Sequence, residues 1–207
     1  GDRGSREGLI VVHEWWGLTD HIETRGQRLS DAGFLVIVPD MYRGSVAKNF
    51  EEAGHLMDGL DWTGACMDIN GAAKYLKSLG CGKVGVTGYC MGGALALAAG
   101  VLCDEVSAVS SYYGIPKATV CDLSKIKVPA QGHWATKDEI KGFSSPEDYG
   151  PLEGKLKAVG VTVDWHVYEA NHAFVNDTGP LHKTHYNAEA AKKSEERLVA
   201  FMHQYLK

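Results

Sequence analysis

The chain lacks the features that mark several protein classes. It holds six prolines in 207 residues and has no internal repeat or low-complexity segment. Five cysteines (Cys66, Cys81, Cys90, Cys103 and Cys121) are odd in number, widely spaced and without a C-x-x-C pair. That usage argues against a disulfide framework or a zinc cage and suits free thiols in the reducing cytoplasm. Lysine and arginine number 21 against 26 Asp and Glu, a formal net charge of −5, so there is no basic footprint for nucleic acid. Apolar runs such as Phe34–Val38 have strand length and are too short to cross a membrane. The opening Gly-Asp-Arg-Gly-Ser-Arg lacks the apolar core of a signal peptide.

With 44% hydrophobic and 23% charged residues, the composition is that of one globular domain over residues 1–207. Strand-like and helix-like runs alternate. Strands are expected at Leu9–His13, Phe34–Val38, Lys83–Thr87, Val106–Tyr112, Val128–His133 and Val161–Tyr168. Helices are expected at Asp20–Ala32, Asn49–Leu60, Thr63–Leu79, Gly93–Ala99, Pro151–Ala158 and Asn187–Leu206. Fully apolar strands separated by helices predict an α/β fold, a mostly parallel sheet covered on both faces. Reactive groups on such a sheet lie beyond the carboxyl ends of its strands.

The most informative of those ends is Gly88-Tyr89-Cys90-Met91-Gly92. Two glycines flank one of five cysteines by accident at roughly 7% from composition. Its weight therefore comes from the strand before it and the alanine-rich helix after it. A strand turning into a helix through G-x-nucleophile-x-G is a nucleophile elbow. The alternative is a small core cysteine beside packing glycines.

Two further strand ends supply a proton relay. Asp138 follows the Val128–His133 strand through a short loop, and His172 follows the Val161–Tyr168 strand through Glu169-Ala170-Asn171. With Cys90 they run nucleophile, acid, histidine along the chain. Glu139 competes for the acid role and His133 for the base, whereas mid-strand His166 reads as structural. By residue type alone Asp138 would be a solvated loop carboxylate; its position and order point to catalysis. His182 and His185 lack a third ligand at metal spacing and read as a solvated loop, so no metal or cofactor is expected. Glu14 ends the first strand, beside Trp15 and Trp16, which would keep water from it.

Together H-E-W-W-G, V-P-D-M-Y-R-G, G-Y-C-M-G-G, the Asp138 loop and Y-E-A-N-H-A-F resemble the dienelactone hydrolases (carboxymethylenebutenolidases) from Leu9 to the last helix. The resemblance implies an α/β-hydrolase fold with Cys90 as nucleophile, His172 as base and Asp138 as its acid partner. It also implies that Glu14 contacts the nucleophile and helps deprotonate it, and that the backbone amides of Trp15 and Met91 form an oxyanion hole. Tyr89, Trp16, Phe50 and Asn176 are expected to touch substrate. Family members that cleave dienelactone hold its carboxylate with two arginines, and here Phe50 and Asn176 fall in those places. A neutral or more apolar substrate is expected, unless Arg43, Lys48 or Lys183 replaces the clamp. The family usually carries strands before Leu9, so a trimmed N-terminus is expected. The implied activity is opening of small esters or lactones through a thioester, by a monomer with no nucleic-acid or membrane partner. The rivals are another acyl hydrolase (thioesterase, esterase or peptidase-like) on the same scaffold, or a catalytically silent binding module.

Overall fold

In a computed structural model that describes residues 6–207, six strands form one sheet. They are β1 (Arg6–Val12), β2 (Leu35–Ile37), β3 (Cys81–Tyr89), β4 (Ala108–Tyr112), β5 (Ala130–Ala135) and β6 (Val163–Tyr168). Their spatial order is β2-β1-β3-β4-β5-β6, and every pairing is parallel. The helices are α1 (Asp20–Asp31), α2 (Phe50–Asp58), α3 (Trp62–Ser78), α4 (Met91–Leu102), α5 (Pro146–Ala158), α6 (His182–His185) and α7 (Ala188–Leu206), with a 3₁₀ turn at Leu123–Lys125. No helix among the described residues is long and apolar enough to cross a membrane.

Alternation along β1 assigns the two faces. Ile10 and Val12 join the core formed with Ile69, Ala73 and Leu76 of α3, Leu95 of α4, and Leu156 of α5. Leu9 and Val11 join Ile22 and Leu29 of α1 and Leu198, Phe201 and Leu206 of α7. With both faces covered, the strands must be apolar on both sides, which is why the sequence shows continuous runs. The order reverses between β1 and β3, and this topological switch opens a crevice beyond their carboxyl ends. Glu14 leaves one of these strands and Cys90 the other.

The observed bounds differ from expectation mainly at α5, which starts at Pro146 rather than Pro151. Pro146 occupies the first turn, where no intrahelical donor is needed, and the Asp148 carboxylate accepts from the Ser145 amide at 3.1 Å. Pro151 sits inside the helix and gives up one backbone bond there. His182 and His185 lie on one short helical turn, not in a loop.

Candidate active site

The turn from β3 into α4 is tight. Cys90 has φ 54° and ψ −115°, a region that costs a non-glycine residue on the order of 1–3 kcal/mol. Its amide is fixed by the Tyr112 carbonyl at 3.0 Å, and its carbonyl accepts from the Ala94 amide at 3.1 Å. A side chain at Gly88 would overlap the Gly92 carbonyl, and one at Gly92 would overlap the Val12 carbonyl. Both obstacles are backbone, so neither can rotate away. Gly88→Ala should therefore destabilise by about 3 kcal/mol or more, the upper end for overpacking. Urea unfolding checks this, and a loss below about 1 kcal/mol would mean that the turn is not held this closely.

The expected acid and the expected base meet. Asp138, 3% exposed, accepts from His172 Nδ1 at 2.7 Å, while its other carboxylate oxygen accepts from the Ile140 amide at 3.1 Å. Glu139 is exposed and does not compete. The Ser144 hydroxyl, fully buried, lies 3.2 Å from the same His172 nitrogen. Tyr113 packs its ring 4.9 Å from the His172 ring, and Phe143 lies at 6.4 Å. Burial works against a charged His172. Attraction to charge on the Cys90 sulfur and the hydrogen bond to Asp138 outweigh it and hold the ring above the ordinary histidine range.

His133, the other histidine at a strand end, does not line the cavity over Cys90. It is fully buried, with Nδ1 2.9 Å from Tyr168 Oη and Nε2 2.9 Å from Gln131 Oε1, and burial pushes it well below the usual range. His166 lies 2.9 Å from Asp164, away from Cys90.

Glu14, 2% exposed, is held by neutral donors. Asn176 Nδ2 donates to Oε2 at 2.5 Å, and Tyr113 Oη approaches Oε1 at 3.4 Å. Hydrogen bonds from Asn176 and Tyr113 hold it here, and the expected contact with the nucleophile is not among its hydrogen bonds. The amides of Trp15 and Met91 have no acceptor among the described residues. Both flank the crevice, one after β1 and one opening α4.

A cavity of about 430 Å³ lies over Cys90 and His172. Its walls are largely apolar: Trp15, Trp16, Phe50, Met57, Ile140, Phe143 and Leu181. Trp16 and Phe50 meet edge to face at 5.2 Å. Asn176 lines it too, but both ends of its amide are occupied, since Oδ1 accepts from the Thr178 and Gly179 amides. Tyr89, expected here, does not line the cavity. Strand alternation turns its side chain into the core, 4.7 Å from Tyr112. Of the three cations considered for a clamp, Arg43 pairs with Asp68 outside the cavity, and neither Lys48 nor Lys183 lines it. The lysines that do line it are exposed Lys117 and Lys141, which the sequence did not single out. Among the described residues no cluster of His, Cys, Asp or Glu is arranged for a metal ion.

Residues 2–206 match the model of the dienelactone hydrolase family. The chain belongs to the dienelactone hydrolase family. It is 34% identical to protein usf of Aquifex pyrophilus, an alignment covering 96% of this chain and 88% of that protein. With carboxymethylenebutenolidase 1 of Cupriavidus pinatubonensis it shares 30% identity over 83% of this chain and 76% of that one. A Klebsiella pneumoniae structure, provisionally named a dienelactone hydrolase, superposes with a TM-score of 0.83 at 25% identity, covering 99% of this chain and 89% of that one. The fold is that of an α/β-hydrolase, and family membership makes the chain a hydrolase.

Proposed function

We propose that this dienelactone hydrolase family member opens small, largely apolar esters or lactones through an acyl-thioester on Cys90. The observation that carries the reading is the strained Cys90 turn facing a cavity shared with the His172–Asp138 pair. His172 takes the thiol proton and Asp138 orients and stabilises the charged ring. The thiolate attacks the substrate carbonyl carbon, and the oxyanion accepts from the Trp15 and Met91 amides. Collapse returns the proton from His172 to the departing oxygen. Water, with its proton taken by His172, then attacks the thioester and releases the acid and the thiol. All five cysteines are buried, but only Cys90 lines the cavity beside His172, and burial pushes Cys66 up to about 12 and Cys103 and Cys121 up to about 11. Iodoacetamide should therefore label Cys90 first, and substrate should protect it. Labelling of another cysteine with Cys90 inert would contradict the assignment.

The walls set the preference. An anionic substrate would leave its carboxylate near buried Glu14 and against aromatic surface, a costly placement. Exposed Lys117 and Lys141 sit in water, where an ion pair gains about 0–1 kcal/mol. A matched methyl ester and free acid should therefore differ in kcat/KM in favour of the ester. Preference for the acid would place a clamp on Lys117 or Lys141.

A further inference from the structure

The buried face of α1 carries two polar side chains that the reaction does not use, and both reach the same loop. Arg25, 5% exposed, donates from Nη2 to the Val175 carbonyl at 2.5 Å and from Nη1 to the Glu195 carboxylate at 2.8 Å. His21 places Nδ1 3.1 Å from Asp177 Oδ1, while its Nε2 is buried without a partner among the described residues. With its proton on Nδ1 the ring donates to Asp177 and leaves at Nε2 a bare lone pair rather than an orphaned N–H, so the neutral form fits the site. Burial favours that neutral form.

The two held residues flank Asn176. Its Oδ1 is tied to the Thr178 and Gly179 amides, which leaves Nδ2 aimed at Glu14. The same loop begins at His172, followed by Ala173 at φ 59°. A chain of contacts therefore runs from α1 through residues 175–177 to Glu14. Neither His21 nor Arg25 lines the cavity.

We propose that His21 and Arg25 are positioning residues that fix Asn176 between them and so hold Glu14 away from the Cys90 thiol. The proposal rests on the assignment of Cys90 made above. When the loop loosens, Asn176 no longer fixes Glu14, and its carboxylate approaches the sulfur and opposes the thiolate by like-charge repulsion. The loss falls on thiol reactivity and kcat, because no substrate contact is removed.

The test compares His21→Leu with His21→Asn, whose amide nitrogen can stand where Nδ1 stood. Two readouts are used: kcat and KM on a neutral aryl ester, and the rate of Cys90 alkylation by iodoacetamide. His21→Leu should lower both kcat and the alkylation rate about tenfold, as loss of a supporting contact does, with KM within about twofold. His21→Asn should recover most of the loss. Arg25→Lys, which keeps the charge but lacks the fork whose two nitrogens reach Val175 and Glu195, should behave like His21→Leu. In a Glu14→Gln background His21→Leu should leave alkylation unchanged, because the charge it releases is gone. Equal losses in His21→Leu and His21→Asn, a loss confined to KM, or additivity with Glu14→Gln would overturn the proposal. Turnover that survives complete Cys90 alkylation would instead remove the Cys90 assignment, and the alkylation rates would still decide the positioning role.

Discussion

Replacing Cys90 with alanine should reduce kcat by about a million-fold, the scale seen when a catalytic nucleophile is deleted. The elbow itself should survive. Alanine is smaller than cysteine, and the bonds that fix the turn, from Tyr112 and to Ala94, are backbone bonds. The variant should therefore unfold within a few degrees of the parent. A second consequence follows from the charge. His172 is held above the ordinary range in part by charge on the Cys90 sulfur, so its titration midpoint should fall when the sulfur is removed. NMR titration of the ring reads this. A variant that keeps turnover would remove Cys90 from the chemistry, and an unmoved His172 would uncouple the pair.

Asp138→Asn should lower kcat by about 10⁴ at near-normal stability. The side chain is 3% exposed and its two oxygens serve different donors, His172 Nδ1 and the Ile140 amide. An amide of the same shape can still accept one of these bonds. It cannot stabilise the charged ring, and its NH₂ can turn the imidazole to the wrong tautomer. Ser144, 3.2 Å from the same nitrogen, is neutral and cannot take over the role. Steady-state kinetics on one ester check the prediction. Near-normal turnover for Asp138→Asn with a dead Glu139→Gln would move the acid by one residue.

The sheet was legible because burial on both faces demands uninterrupted apolar strands, and Leu9–Val12 and Val84–Val86 carry that signature. The order of strand ends then singled out Cys90, Asp138 and His172, and the fold joins Asp138 to His172 and sets His172 and Cys90 on one cavity. What escaped were features set by side-chain direction. Tyr89 adjoins the nucleophile in sequence, but strand alternation points it into the core. Asn176 lines the cavity, yet its amide is consumed by Glu14 and by two loop amides, which spacing cannot reveal. Ser144, Tyr113, Lys117 and Lys141 reach the site from loops and strand ends that carry no recognisable pattern. The start of α5 was written in Ser145-Pro146-Glu147-Asp148, a capping signature overshadowed by the proline at 151.

The proposed reaction passes through a thioester at Cys90, and rapid chemical quench of the enzyme with a nitrophenyl butyrate would trap it. A burst of nitrophenol and protein heavier by one butyryl group are expected. Peptide mapping should place that group on Cys90, in a bond cleaved by neutral hydroxylamine as thioesters are. A butyryl group on another residue, such as Ser144, would contradict it, as would a full burst with no acylated protein.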